Sequence, residues 1–179
     1  MWFPKINEDP DYHYAGILDS FKRAAAKMPR VDAIGVSSAG IYIDNEVRVA
    51  SLFIKVPQDL FDQKVRNMYI RAAKEIGDVP LTVANDGDVT ALAGALSLKD
   101  GRVLGIAMGT SEAVGYVNKD GNLNGWLSEL AFVPVDYNKG AMVDEWSGDY
   151  GCGVKYFSQD SVILSLIHIS EPTRPLYIS

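Results

Sequence analysis

Residues 84–93 read Ala-Asn-Asp-Gly-Asp-Val-Thr-Ala-Leu-Ala, and this stretch decides how the sequence folds. It follows a short apolar run at 81–84 and continues into a series of small residues, so it predicts a strand followed by a tightly packed helix. Open α/β sheets bind their ligands at the carboxyl ends of strands. The stretch therefore places two carboxylates, Asp86 and Asp88, at the edge of a candidate cleft.

Asp86 has two interpretations. A carboxylate that projects into a cleft can accept a proton from a substrate hydroxyl as that hydroxyl attacks, provided it lies within hydrogen-bond reach. Alternatively, Asp86 or Asp88 only caps the helix, which is a frequent use of aspartate. The spacing alone leaves both interpretations open.

Helices and strands alternate outward from this junction, which predicts an α/β protein. The predicted elements are a helix over 9–28, a strand over 31–36, a hairpin over 41–49, a helix over 58–77, a strand over 81–84, a helix over 89–98 and a hairpin over 103–117. After Gly101 the sequence pattern changes from alternating strands and helices to predicted hairpins and loops. We therefore predict a partial α/β lobe over 1–101 and the beginning of a second lobe, made of hairpins and cleft loops, over 102–163.

The turn Gly109-Thr110-Ser111 is a second candidate site. Backbone N–H groups and the two hydroxyls of such a turn can point at phosphate oxygens. It is not the Walker pattern, because no lysine follows the glycine and no helix is predicted to begin there. Most turns of this composition bind nothing, so a purely structural turn stays an alternative.

A third region, 121–153, places carboxylates close to tryptophans. Glu129 follows Trp126 by three residues, and Glu145 directly precedes Trp146. A sugar ring can stack on an indole while its hydroxyls donate to neighbouring acids. The same residues can equally form a solvated loop over an aromatic core, so both interpretations stay open.

Composition excludes several classes of function. The 179 residues carry a formal net charge of -6, which gives a polyanion no attraction, so we expect no nucleic-acid partner. One cysteine cannot form an internal disulfide or a multi-cysteine zinc site, which fits a reducing cytoplasm. No apolar run is long enough to cross a bilayer, so we expect a soluble cytoplasmic protein without a membrane partner.

Residues 164–174, Leu-Ser-Leu-Ile-His-Ile-Ser-Glu-Pro-Thr-Arg, resemble the translation of a transposase adapter used in DNA sequencing libraries. The resemblance implies that 164–179 is a non-native tail and that the natural product continues beyond about Ile163. A genuine amphipathic tail is the alternative.

Taken in order, three segments resemble the ROK family of sugar kinases and repressors, within the superfamily of hexokinase and actin. Residues 31–42, with Gly-Val-Ser-Ser-Ala-Gly, are similar to the strand that ends in a Gly-Val-Pro-Gly turn. Residues 85–91 are similar to the Asn-Asp-Ala-Asn-Ala-Ala-Ala segment, and residues 109–115 resemble the Gly-Thr-Gly phosphate turn. The resemblance implies an incomplete ribonuclease H-like fold of the actin and hexokinase type.

The resemblance also implies an activity, the ATP-dependent phosphorylation of a hydroxyl on a sugar or sugar-like substrate. It implies that Asp86 is the base, that Asn85, Glu129 and Glu145 contact the sugar, and that Gly109, Thr110 and Ser111 hold the phosphates of ATP with Mg²⁺. It implies a small-molecule sugar and a nucleotide as partners, and it leaves a homodimer of the full-length protein open. No zinc is expected.

Departures from the family pattern keep other functions open. The Asp-x-Gly-Gly-Thr hairpin is absent, Phe132 stands near the place of the sugar-binding histidine, and Val154 stands where an acid is expected. These losses favour a non-catalytic sugar sensor as the alternative. A hydrolase that pairs Asp86 with Glu129 is a third hypothesis. We expect the 179-residue chain itself to be inactive and marginally stable.

Overall fold

The computed structural model describes residues 6–126 and 128–170. The chain divides into two compact units, Met1–Val89 and Thr90–Ser179. The predicted lobes and the predicted non-native tail stay predictions, and residues 171–179 of that tail lie outside the described residues. Within the described ranges, no helix is both long enough and apolar enough to span a membrane.

The helices and strands follow the predicted alternation. In the first unit they are α1 (Pro10–Ala25), β1 (Ile34–Ser37), β2 (Ile41–Ile43), β3 (Glu46–Val49), α2 (Gln58–Leu60), α3 (Met68–Lys74) and β4 (Leu81–Ala84). Helix α4 (Asp86–Leu98) carries the boundary between the units, and β5 (Val103–Met108), β6 (Glu112–Val117) and α5 (Gln159–Ser170) follow.

The first unit is built on the parallel pair β1 and β4, in which Ser37 lies beside Ala84 at the carboxyl end. Strands β2 and β3 form the predicted hairpin. The core beneath them contains the buried side chains of Val47, Phe53 and Met68. The same cluster contains Val83 of β4 and packs against Val36 of β1, and burying side chains of this kind contributes about 1.5–3 kcal/mol each.

The helix predicted over 58–77 is interrupted. Helix α2 passes into a π-helical turn, Phe61–Val65, in which the Arg66 N–H donates to the Phe61 carbonyl at 3.0 Å. Asn67, at φ -103° and ψ 21°, leaves the helical conformation before α3 begins. The periodicity of the apolar residues predicted the inward face correctly, because Val65 and Met68 are fully buried.

The second unit contains the predicted hairpin of β5 and β6, which pair antiparallel from Val103 beside Val117 to Met108 beside Glu112. Strand β5 packs closely on α4. A Cβ at Gly105 would lie 2.4 Å from the backbone nitrogen of Ala91, so only glycine allows this approach.

Candidate functional site

The loops that follow β1 and β4 meet in the first unit, as parallel strand ends require. The Ser38 N–H donates to the Ala84 carbonyl at 3.1 Å, which extends the strand pairing by one bond. Beyond it, the Asn85 Nδ2 donates to the Gly40 carbonyl at 2.9 Å. Two loops that lie 45 residues apart in sequence are thereby joined directly beside Asp86.

Asn85 occupies the cap position of α4. Its Oδ1 accepts the Gly87 N–H at 2.8 Å, and its backbone carbonyl accepts the Val89 N–H at 3.0 Å. The helix therefore begins at Asp86 and not at Val89, where the sequence had placed it. Asp86 and Asp88 both lie in the first turn, where the helix dipole favours negative charge. Burial raises the pKa of the Asp88 carboxyl.

Three hydroxyls lie together close to this junction. The Tyr42 hydroxyl oxygen lies 2.8 Å from the Ser38 Oγ and 3.0 Å from the Ala39 carbonyl oxygen, both within hydrogen-bond distance, and the Ser38 Oγ lies 2.9 Å from the Tyr69 hydroxyl. Burial raises the pKa of Tyr42 strongly, and the negative charge of Asp86 adds to this effect. Tyr42 therefore stays a neutral hydrogen-bond donor in the neighbourhood of Asp86. Sequence reasoning missed this cluster, because no local pattern links Ser38 to Tyr69.

The Gly109 turn lies in the second unit, at the tip of the hairpin of β5 and β6. The Gly109 N–H donates to the Ser111 carbonyl at 2.9 Å, and the Gly109 carbonyl accepts the Gln159 N–H at 2.8 Å. Thr110 and Ser111 are exposed. Gly109 thus shapes the turn, while Thr110 and Ser111 present its accessible side chains.

Glu112, directly after this turn, is a buried carboxyl that sequence reasoning missed. Only 7% of the residue is exposed, and burial raises its pKa. Among the described residues, no hydrogen-bond partner reaches its Oε2. A Cβ at Gly153 would lie 2.8 Å from that oxygen, so the glycine makes room for it. A glutamate directly after an exposed glycine turn carries no local signal of burial, because the segment around Gly153 that lies against its carboxyl is about 40 residues further along the chain.

The two remaining candidate acids also lie in the second unit. Glu129 is exposed and precedes a 3₁₀ turn, Leu130–Phe132. The Lys155 Nζ donates to the Glu145 Oε2 at 2.7 Å, and this hydrogen bond lowers the pKa of Glu145. The neighbouring Trp146 ring lies 5.2 Å from the Phe132 ring and remains mostly exposed.

Sequence-predicted site residues thus divide between the units. Asn85 and Asp86 lie together in the first, and Gly109, Thr110, Ser111, Glu129 and Glu145 lie in the second. Across residues 6–126 and 128–170, no three side chains of His, Cys, Asp or Glu gather as a metal-ion cluster.

Solved structures of other proteins share this fold. No protein-family model and no curated protein matches the sequence. Among solved structures, the chain is similar to a ROK family transcriptional regulator that is a homolog of the E. coli Mlc protein, with a TM-score of 0.67 and 22% identity over 92% of this chain and 42% of that one.

Two kinases are also similar to this chain. The ROK hexokinase from Thermus thermophilus matches with a TM-score of 0.61 and 18% identity, over 87% of this chain and 50% of that one. The inorganic polyphosphate/ATP-glucomannokinase from Arthrobacter sp. strain KM matches with a TM-score of 0.59 and 19% identity, over 88% of this chain and 56% of that one.

These likenesses confirm the fold expected from the sequence. The chain has the fold of ROK structures, which is of the hexokinase and actin type, and it spans about half the length of the structures it matches. The neighbours include both kinases and a transcriptional regulator.

Proposed function

We propose that this chain is part of a longer ATP-dependent kinase that phosphorylates a hydroxyl of a sugar or sugar-like substrate. The observation that carries the proposal is the position of Asp86. It is the first residue of α4, it follows the carboxyl end of β4, and Asn85 ties its backbone to the neighbouring loop. The fold shared with a hexokinase and a glucomannokinase supports the same proposal.

Phosphoryl transfer asks a protein mainly for positioning and for neutralisation of charge, because little covalent chemistry falls to side chains. In this proposal Asp86 accepts the proton of the attacking sugar hydroxyl. Asn85 and Glu129 orient neighbouring hydroxyls of the sugar. Glu145 is a further sugar contact, and it would exchange its bond with Lys155 for one with the substrate.

The Gly109 turn is the proposed binding site for the phosphates of ATP. Hydroxyls are suitable donors to phosphate oxygens, and Thr110 and Ser111 present theirs on an exposed hairpin tip that Gly109 shapes. ATP with Mg²⁺ would supply the phosphoryl group there, with the metal ion neutralising phosphate charge. The proposed setting is the cytoplasm, with the sugar and the nucleotide as partners.

An assay of the longer protein, obtained by extending the reading frame at both ends, tests the proposal. With Mg²⁺ and ATP, a panel of hexoses and amino sugars should reveal at least one sugar that releases ADP in proportion to sugar phosphate. Isothermal titration should detect Mg²⁺-ATP binding that Thr110→Ala together with Ser111→Ala weakens. Sugar binding without nucleotide binding or transfer would contradict the kinase proposal.

That contrary result would favour a sugar sensor of the same fold. One specific observation supports this second candidate, which is the similarity to a transcriptional regulator over 92% of the chain. In a sensor, bound sugar would change the affinity for another macromolecule, and ATP would have no effect on that affinity.

A further inference from the structure

The Asn85 side chain uses its amide nitrogen and its carbonyl oxygen on two different backbone segments. We infer that Asn85 is a positioning residue for Asp86, because its side chain joins the loop after β1 to the first turn of α4. This placement exists in the unliganded chain. Its catalytic consequence rests on the proposed kinase function, in which Asp86 is the base.

The acceptor half of the amide fixes the start of the helix. Oδ1 accepts the Gly87 N–H at 2.8 Å, which is one of the N–H groups that a helix leaves unsatisfied at its first turn. The Asn85 backbone carbonyl takes the first helical bond, from Val89 at 3.0 Å. Asp86 lies between these two anchors, so its backbone direction follows from them.

The donor half of the amide fixes that start against a rigid loop. Nδ2 donates to the Gly40 carbonyl at 2.9 Å. Gly40 has φ +133°, and a Cβ there would lie 2.5 Å from the Val49 carbonyl oxygen, so this loop packs tightly against the end of β3. The Ser38 N–H also donates to the carbonyl of Ala84, the residue before Asn85, so the loop after β1 is bonded to β4 at a second point. The Gly40 carbonyl is therefore a fixed point, and Asn85 transmits its position to Asp86.

A positioning role and a sugar contact are compatible, because an amide has a second N–H and a second acceptor lone pair. The two roles differ in what they predict. A sugar contact acts only when sugar is bound, whereas positioning is present in the unliganded protein.

The variant Asn85→Ser separates the two bonds. Serine caps a helix about as well as asparagine, but its hydroxyl is too short to reach the Gly40 carbonyl. The matched control is Asn45→Gly, which removes another side-chain amide that bonds the Leu81 carbonyl and the Val83 N–H of β4. Asn45 has φ +65°, a conformation that glycine adopts without strain.

The readout is the ¹³C resonance of the Asp86 carboxyl in the unliganded 179-residue chain. Asn85→Ser should move this resonance, while Asn45→Gly should leave it in place even though it also loses hydrogen bonds. If Asn85→Ser does not fold, Asn85→Thr serves instead, since its hydroxyl also caps a helix, is also too short to reach the Gly40 carbonyl and adds no charge beside Asp86. An unmoved resonance in the position 85 variant, or an equal shift in the control, overturns the inference.

Kinetics of the longer protein give a second test. Asn85→Ser should lower kcat by about 10- to 100-fold, the scale of a small misplacement of a reacting group, in addition to any rise in KM that the loss of its sugar contact causes. A raised KM with unchanged kcat would make Asn85 a sugar contact alone and overturn the inference. If the unsubstituted protein transfers no phosphate, the proposed function fails, and the carboxyl resonance still decides whether Asn85 positions Asp86.

Discussion

The Asn45 Oδ1 accepts the backbone N–H of Val83 at 2.8 Å. The Nδ2 of the same side chain donates to the Leu81 carbonyl at 3.1 Å. One amide thus supplies β4 with the donor and the acceptor that a neighbouring strand would offer. Asn45 reaches that edge because it lies in the left-handed turn between β2 and β3, at φ +65°. This side chain therefore ties the hairpin to the parallel sheet that carries Asn85 and Asp86.

Replacing Asn45 by glycine should destabilise the first unit by about 1–3 kcal/mol, because two backbone groups of β4 lose their partner. Urea unfolding, followed by a probe in the first unit, measures this change in the free energy of unfolding. Asp44→Gly is the control, since Asp44 shares the left-handed turn at φ +53° and should change stability by less than about 0.5 kcal/mol. Equal losses in the two variants would show that the turn, and not the Asn45 amide, matters.

Gly105→Ala should destabilise the second unit by about 1–3 kcal/mol or more, as overpacking of a close contact does. The added Cβ would lie 2.4 Å from the Ala91 backbone nitrogen, and backbone cannot move aside cheaply. Thermal unfolding measures the loss. The matched strand variant Gly35→Ala has no atom within 4 Å of the added Cβ and should be nearly neutral. A neutral Gly105→Ala would mean that β5 does not approach α4 this closely.

Glu112 should make the stability of the second unit depend on pH. Burial raises its folded-state pKa above the ordinary value of 4.5, so the native state favours the protonated carboxyl. The protonated Glu112 carboxyl therefore contributes to the free energy of unfolding below its unfolded-state pKa, and this contribution is lost as pH rises through the folded-state pKa. Glutamine does not ionise, so Glu112→Gln should not lose stability in this pH range. Above the folded-state pKa the variant should be more stable than the unsubstituted chain. Urea unfolding between pH 4 and 8 checks the sign, and parallel pH profiles of the two proteins would contradict it.

The sequence predicts local helices, strands and turns well, but it predicts contacts between residues far apart in the chain poorly. The alternation of helices and strands, the turn at 44–46 and the hairpin over 103–117 follow from local patterns, and the structure confirms them. The interruption at Asn67 escapes prediction, because the apolar periodicity of 58–77 continues across it.

At the candidate site, the strand-to-helix junction after β4 was predictable from the sequence. Which of its residues caps the helix was not. The sequence leaves open whether Asp86 caps α4, and the structure gives the cap to Asn85. The same amide bonds the carbonyl of Gly40, which lies 45 residues away and which no local pattern reveals. The buried Glu112 carboxyl likewise lies against Gly153, far along the chain. The roles of Asp86, Glu129, Glu145 and the Gly109 turn stay predictions.

The most direct test of Asp86 as the catalytic base is the rate of phosphate transfer to sugar by the longer protein carrying Asp86→Asn. Loss of a general base should lower kcat by about 10²- to 10⁴-fold, with the same melting temperature as the unsubstituted protein. Asp88→Asn, two residues further in the same helical turn, is the matched control and should keep the rate within about threefold. An unchanged rate in Asp86→Asn, or an equal loss in both variants, would contradict the assignment of Asp86 as the base.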